Sequence, residues 1–570
     1  MDRIWHKSYD PGVPFSREYP ETCLPQILEQ NAGLYPDSIA TDFFGSRLTY
    51  SQLWDHVLRL ANGLKQMGVG EGTKVAIMLP NTPQCVIAYY AALWLGAVLV
   101  MTNPLYVERE LVHQWTDSDA EILIILDHLY PKAEKVLPQT KIRATIATSV
   151  KDYLPFPLRY LYPVKARLKK LFTSVPYDGS HVFSLKKMIH DNRPDPIPCA
   201  ARPDNLALLQ YTGGTTGVAK GAMLTHRNIL SNVLQLISWV SEIKRGEETF
   251  LSVLPFFHVY GMTVALNLAI YTASRIIIMP RFDADELIKT IRKKRPAMFP
   301  GVPAIYIALM AHPKVDSFDL SSIRICNTGA APLPVEVMRK FEQKTGSKII
   351  EGYGLSEASP VTHSNPIEGT RKPGSIGIAL PDTDCRIVDT ETGTMEMPAG
   401  QVGELIVRGP QVMKGYWKNE KETLDSLRDG WLHTGDLATM DDSGYVFIVD
   451  RKKDMVISGG YNIYPREIEE VLYEHPKVRE AAAIGVPHPK KGEAVKVFVV
   501  PKQGETLDRQ EILDWCKEKL AAYKVPKEVE LRDSLPMTIV GKVLRRELRN
   551  SGPTRDAVAK DTEAPSDGSI

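Results

Sequence analysis

Short, wholly apolar runs set between helical repeats are the feature that most narrows the folds open to this chain. Val75-Ala76-Ile77-Met78-Leu79 and the stretch from Ile122 to Leu126 offer no polar side chain to water, so they read as buried strands. A helical repeat follows Leu48-Thr49-Tyr50-Ser51 and runs through Leu64. The uncharged run from Val86 to Met101 is shorter than the ~20 residues a spanning helix needs. It reads instead as a buried helix through Leu95, a break at Gly96 and a strand to Met101. Strands alternating with helices define an α/β domain with a largely parallel sheet, and the alternation returns over residues 200–450.

At about 100–200 residues per domain, a chain of 570 residues requires at least two cores. The charged break Asp450-Arg451-Lys452-Lys453-Asp454 separates residues 1–452 from a compact unit over 453–550, and a polar tail over 551–570 is expected to be disordered. In the smaller unit Pro465 opens a helix with Ile468, Val471 and Leu472 on one face. Strand-like runs at Ala481 to Ile484 and Val495 to Val500 follow, then a helix from Asp508 to Leu520, which together make a small α+β domain.

Lys+Arg number 69 against 68 Asp+Glu, so no global basic excess points to nucleic acid. The cysteines at 23, 85, 199, 326, 385 and 516 form no CxxC pair or zinc-like cluster and suit a reducing compartment. The first residues lack the apolar stretch of a signal peptide, which gives a cytoplasmic expectation. Locally, residues 154–177 carry Arg159, Lys165, Arg167, Lys169 and Lys170 with no acidic residue, punctuated by Pro155, Pro157, Pro163 and Pro176. Leu161, Val164, Leu168, Leu171 and Phe172 give a rough helical stripe. This is either a solvated insertion with a packed apolar side or a peripheral contact on the inner membrane face.

Several strings carry chemistry. The apolar strand Leu206 to Tyr211 runs into Thr212-Gly213-Gly214-Thr215-Thr216-Gly217-Val218-Ala219-Lys220-Gly221. Its glycines permit close backbone approach, its hydroxyls and N–H groups donate hydrogen bonds, and Lys220 adds charge, a combination suited to a polyphosphate. It is not the GxxxxGK[ST] pattern. In Glu351-Gly352-Tyr353-Gly354-Leu355-Ser356-Glu357, the flanking glycines leave a face of Tyr353 available to stack on a base. Ser356 can bond phosphate, and Glu357 is a hard oxygen ligand of the kind Mg²⁺ prefers. Asp436, in Trp431-Leu432-His433-Thr434-Gly435-Asp436, can accept hydrogen bonds from ribose hydroxyls.

The Thr212–Gly221 string resembles the phosphate loop of the adenylate-forming superfamily, which includes acyl-CoA synthetases, firefly-type luciferases and peptide-synthetase adenylation domains. The remaining motifs follow in order, so the resemblance spans Thr49 to Arg546. It implies a large N-terminal domain of mixed sheets and helices and a small mobile α+β C-terminal domain. Many relatives have Ser at Gly213, Thr at Ser356, Lys at Met537 and Ser or Thr at Val540. In the family, Pro255-Phe256-Phe257-His258-Val259-Tyr260-Gly261 lines the acid pocket, with His258 near the substrate carboxylate. Asn327-Thr328-Gly329-Ala330-Ala331-Pro332-Leu333 lies beside adenine. Arg451 matches a second ribose contact, Lys453 the interdomain hinge, and Gly541-Lys542 the catalytic lysine. Thr215 joins Glu357 toward the metal, and Ser458-Gly459-Gly460-Tyr461 forms part of a coenzyme A channel.

The implied reaction consumes a carboxylic acid, ATP with Mg²⁺, and coenzyme A. The motif pattern looks most like bacterial long-chain fatty-acid–CoA ligases. A medium-chain or aryl-acid ligase, an adenylation domain serving a carrier protein, and a non-catalytic nucleotide-binding scaffold are the competing readings. An oligomer is compatible with all of them.

Overall fold

The computed structural model describes residues 3–168, 173–212, 219–240, 243–331, 333, 335–458, 461–489, 492–538 and 541–550. Gly213, Gly214, Thr215, Thr216 and Gly217 of the Gly/Thr loop lie outside these residues. So do Lys169, Lys170, Leu171 and Phe172, Gly459 and Gly460, and the tail over 551–570. The chain divides into two compact units. One runs to Thr434 and includes Thr439–Phe447; the other holds Gly435–Ala438 and the chain from Ile448 on.

The first unit is built on two large sheets. In the seven-stranded sheet Val182–Ser184, Ala144–Thr148, Ile122–Leu126, Lys74–Met78, Val98–Met101 and Leu206–Thr212 lie side by side in parallel, and Lys220–Thr225 closes it as an antiparallel partner of Leu206–Thr212. The runs read as buried strands are buried throughout Ile122–Leu126 and over four of the five residues of Lys74–Met78. Parallel strands carry crossover helices on their faces, which leaves their side chains no water to meet. In the nine-stranded sheet Ile39–Phe43, Arg275–Ile278, Thr249–Ser252, Met298–Gly301, Ile325–Thr328 and Lys348–Gly354 are parallel, with antiparallel strands at both ends.

Local signals set the element ends. Helix Tyr50–Gln66 starts at Thr49, whose hydroxyl accepts the Gln52 N–H at 3.2 Å while the Gln52 side chain accepts the Thr49 N–H at 3.0 Å. Helix Pro83–Trp94 is buried on every side and ends as expected before Gly96. Gly96 has φ +71°, and a Cβ there would lie 3.3 Å from the Ala200 carbonyl oxygen, so the turn into Val98–Met101 needs glycine. No helix among the described residues is long and apolar enough to cross a membrane.

The second unit pairs Val478–His488 with Gly492–Pro501 and adds Val456–Ser458, Tyr461–Ile463 and Glu528–Leu531. The long strand extends well beyond the expected Ala481 to Ile484, because its ends go on pairing with Gly492–Pro501 past the buried centre. Ala481, Ala483, Val495, Val497 and Val499 pack with Ile468, Leu472, Ile512 and Cys516 of helices Pro465–Tyr473 and Arg509–Lys519. The alternate residues Ala482, Ile484, Phe498 and Val500 pack with Leu535 and Leu548. That period of two anchors the segment 535–548, which carries Lys542, to the sheet.

In the first unit His226 and His363 are wholly buried. Burial holds the His226 imidazole down to about 4 and that of His363 to about 3, so both are neutral when folded. Unfolded imidazoles take up protons below about pH 6.5, which the folded protein resists until much lower pH. Stability is therefore full above about pH 6.5 and falls as pH drops, by roughly 1.4 kcal/mol per pH unit for each histidine. Calorimetry of His226→Gln is expected to show a flatter fall of Tm between about pH 7 and about pH 5 than the parent shows. An unchanged slope would remove His226 as a source of acid sensitivity.

Candidate active site

The carboxyl ends of parallel strands are the edge at which α/β sheets bind ligands. In the nine-stranded sheet Gly301 pairs in register with Thr328, and Thr328 with Glu351, so two strands end level beside the third, which runs on to Gly354. Gly329 follows directly and is buried. A Cβ on it would meet the Gly352 carbonyl oxygen at 3.2 Å and the Tyr260 ring at 3.6 Å. Ala330 is exposed and left-handed at φ +70°, a conformation costing a non-glycine residue about 1 kcal/mol. Ala331 beside it is half-buried. Glu351 is buried, Gly352 and Tyr353 are half-buried, and Gly354 is exposed. A Cβ on Gly354 would fall 2.2 Å from the Pro360 carbonyl oxygen, so only glycine fits. The adenine-side and base-stacking strings are thus neighbours on one edge.

Tyr260 pins that edge from below. Its hydroxyl accepts from Asn327 Nδ2 at 3.0 Å and lies 3.1 Å from the Gly301 carbonyl and 3.3 Å from that of Asn327. Two residues earlier, half-buried His258 accepts the Tyr260 N–H on Nδ1 at 3.2 Å. The proton of the neutral ring then sits on Nε2, which makes that nitrogen a donor suited to a carboxylate. The chain continues into a buried π-helical turn, Gly261–Asn267. A Cβ on Gly261 would overlap the Pro255 carbonyl oxygen at 2.3 Å, which accounts for the last residue of this string.

The Gly/Thr loop springs from a hairpin whose last pair is Thr212 with Lys220. On the other side of Lys220–Thr225 runs the segment 414–417. Trp417 N–H donates to Gly221 O at 2.8 Å, Met223 N–H to Gly415 O at 2.9 Å, and Ala222 pairs with Tyr416. Tyr416 was not legible as a site residue, yet its hydroxyl donates to Glu357 Oε1 at 2.7 Å. Glu357 and Ser356 lie half-buried on the 3₁₀ turn Ser356–Ala358, and the Glu357 carbonyl accepts the Met413 N–H at 2.8 Å. The Lys220 ammonium stands 2.5 Å from Glu422 and 5.4 Å from the Tyr416 ring centre. It is held by a carboxylate as well as poised at the loop.

In the second unit Asp436 is buried and its Oδ1 lies 3.0 Å from Arg451 Nε. Lys542 belongs to the same group. Its pKa is lowered to about 8, first by burial and then by Arg451, against the opposing pull of Asp436. The lysine sits in a tight turn: Gly541 has φ +77°, Thr538 N–H donates to Lys542 O at 2.7 Å, and Lys542 N–H donates to Thr538 Oγ1 at 3.0 Å. Arg545, three residues on, joins Glu469 at 2.8 Å and Asp454 at 3.2 Å, and Arg549 reaches Asp454 at 2.9 Å. Lys453 is exposed beside this buried cluster. Tyr461 is also exposed and stacks on Tyr523, with ring centres 4.7 Å apart. Asp436, Arg451 and Lys542, distant in sequence, are therefore brought together, whereas Tyr461 stands in a separate aromatic pair.

The family model for AMP-binding enzymes matches residues 28–417, and that for the AMP-binding enzyme C-terminal domain matches residues 467–542. A long-chain-fatty-acid–CoA ligase of Bacillus subtilis is 47% identical over 95% of this chain and 97% of its own length. Among solved structures, ATP-bound MatB from Rhodopseudomonas palustris is similar with a TM-score of 0.79 at 31% identity, covering 93% of this chain and 99% of its own. The o-succinylbenzoate CoA synthetase (MenE) of Bacillus subtilis, in complex with its acyl-adenylate intermediate, gives 0.76 at 26% identity over 93% and 99%. The chain belongs to the AMP-binding enzyme family.

The Lys542 environment has a direct readout. After reductive ¹³C-methylation, the Lys542 resonance, assigned by its loss in Lys542→Arg, is expected to titrate near pH 8, well below the 10.5 of ordinary lysines. Arg451→Gln, which removes a repelling charge, should move it upward. Titration together with the bulk lysines would contradict the burial of this amine.

Proposed function

We propose that the protein is an AMP-forming acid–thiol ligase that activates a fatty acid, preferentially long-chain, and transfers the acyl group to coenzyme A. The observation that carries this reading is the grouping of a desolvated lysine with an Asp–Arg pair suited to ribose. A cation beside groups able to bond ribose hydroxyls suits the sugar and phosphates of a nucleotide. Family membership and the similarity to a long-chain ligase support the acid and the thiol.

The acid is already ionised at neutral pH, so the first step needs no general base. One carboxylate oxygen attacks the α-phosphorus of ATP, an O–P bond forms, and pyrophosphate leaves. Negative charge accumulates on phosphoryl oxygens, and positioned cations and donors supply most of the stabilisation. We assign these roles to Lys542, to the Thr212–Gly217 loop with Lys220, and to Ser356. His258 orients the carboxylate, Tyr353 and Gly329–Ala331 receive the base, and Asp436 with Arg451 receives the ribose. Glu357 and Thr215 would hold Mg²⁺, which neutralises phosphate charge when bound. Glu357 fits that role, since its Oε2 has no partner among the described residues while Oε1 is held by Tyr416. In the second step the coenzyme A thiolate attacks the acyl carbon and AMP departs. We assign Lys453 as the hinge between the two steps and the 458–461 segment to the thiol channel.

Two substitutions separate the half-reactions. Lys542→Ala is expected to lower pyrophosphate release at least about 100-fold, the scale of one lost oxyanion donor, while sparing thioester formation from supplied acyl-adenylate. Lys453→Pro fixes φ near about −65° and should do the reverse, with near-normal single-turnover pyrophosphate release and little acyl-CoA. Equal loss of both steps in either folded variant would reject its assigned role.

A long-chain substrate partitions into membrane, since each buried CH₂ is worth about 0.8 kcal/mol. Helix Leu158–Leu168 exposes Leu158, Tyr160, Leu161, Val164 and Leu168, and Phe156 just before it, rather than packing them. With five basic residues and no acidic one across 154–177, the segment suits an anionic bilayer surface. Such attachment is compatible with a cytoplasmic enzyme bearing reduced cysteines. Replacing Arg159, Lys165, Arg167, Lys169 and Lys170 with Gln should abolish salt-sensitive co-sedimentation with anionic vesicles and leave activity on short soluble acids unchanged. Identical sedimentation of both proteins would leave the segment as a solvated insertion.

A further inference from the structure

We propose that Tyr416 is a positioning residue for the metal-binding carboxylate, holding Glu357 through its phenol and tying it to the strand that leaves the phosphate loop. The inference rests on the assignment of Glu357 to Mg²⁺ made above.

The geometry supports it from three sides. First, Glu357 is gripped twice by one segment: Met413 N–H donates to its carbonyl at 2.8 Å, and the Tyr416 hydroxyl donates to Oε1 at 2.7 Å. The 3₁₀ turn and its carboxylate therefore move with residues 413–416. Second, the backbone of Tyr416 is fixed. Its N–H donates to Thr423 Oγ1 at 2.9 Å, it pairs with Ala222, and the next residue bonds Gly221. These contacts lock it to Lys220–Thr225, the strand whose first residue closes the Gly/Thr loop against Thr212. Third, the chemistry of a phenol is suited to the task. The Tyr416 hydroxyl is placed as the donor to Glu357 Oε1, and an ordinary phenol keeps its proton at neutral pH. A neutral donor orients one carboxylate oxygen without cancelling the charge that a divalent cation needs, whereas a lysine in its place would compete with the metal. The Lys220 ammonium lies instead over the ring face and against Glu422, away from a direct pair with Glu357.

The test uses Tyr416→Phe, which keeps the ring beneath Lys220 and removes only the hydroxyl, with Glu357→Gln alongside. Calorimetry would follow binding of an ATP analogue bridged by methylene between its α and β phosphates, in EDTA and across a Mg²⁺ series. In EDTA, Tyr416→Phe should match the parent. With Mg²⁺, its gain in affinity should be about three- to tenfold smaller, the scale of one lost hydrogen bond, and that of Glu357→Gln smaller still. In turnover the variant should need more Mg²⁺ for half-maximal rate yet approach parental kcat at saturating metal. A normal Mg²⁺ gain in Tyr416→Phe with a reduced one in Glu357→Gln would overturn the role of Tyr416 alone. A normal gain in both would overturn Glu357 as the metal carboxylate, and this inference with it. Weaker analogue binding already in EDTA, together with a lowered Tm, would replace positioning by a merely structural role.

Discussion

Parallel register along Met298–Gly301, Ile325–Thr328 and Lys348–Gly354 holds Gly301, Thr328 and Glu351 level, and the carboxyl edge of that sheet depends on the alignment. Because Met298–Gly301 and Ile325–Thr328 end together while Lys348–Gly354 runs on, the chain leaving Thr328 at Gly329 meets Gly352 of that longer strand. The crowding that follows dictates residue type: no Cβ is tolerated at Gly354, little room remains at Gly329, and Ala330 is pushed into a left-handed conformation. Tyr260 fastens two of the strand ends with a single hydroxyl. The same alignment accounts for the sequence pattern upstream, since parallel strands need crossover helices and lose their solvated face.

The second unit solves a different problem, the burial of charge. Asp450, Asp454 and Glu469 gather around Arg545, and each would be costly to bury alone. Arg545 and Arg549 answer them. The network links the charged break at 450–454 to the helix just after Lys542. Lys542 itself is left with Arg451 and Asp436, an environment that weakens its hold on a proton. Negative charge brought close to the amine would restore that hold.

Much of this was legible because it is local. The helical repeat after Leu48–Ser51, the break at Gly96, the helix opened by Pro465 and the helix from Asp508 are read from a few adjacent residues whose preferences tertiary structure did not override. The strands of the second unit were underestimated at their ends, where Val478–His488 and Gly492–Pro501 lengthen each other through mutual pairing. The stripe at 154–177 showed its helical spacing but not its exposure. Tyr416 carried no signal beyond an aromatic after a glycine, since its importance comes from a partner at position 357. Lys220 announced a cation, but its pairing with Glu422 is a contact across two hundred residues of chain that no local string contains.

The sequence by itself determined the fold class, the two-part division and the order of the motifs, because apolar periodicity, glycine placement and motif spacing act over short distances. Which side chains meet was decided only by the tertiary structure. Asp436, Arg451 and Lys542 come together because a strand, a turn and a hairpin pack onto one unit, and Glu357 meets Tyr416 because a strand edge seats residues 414–417. Electrostatic and hydrogen-bond energies depend on distances of a few ångströms, and those distances are set by packing between segments far apart in the chain.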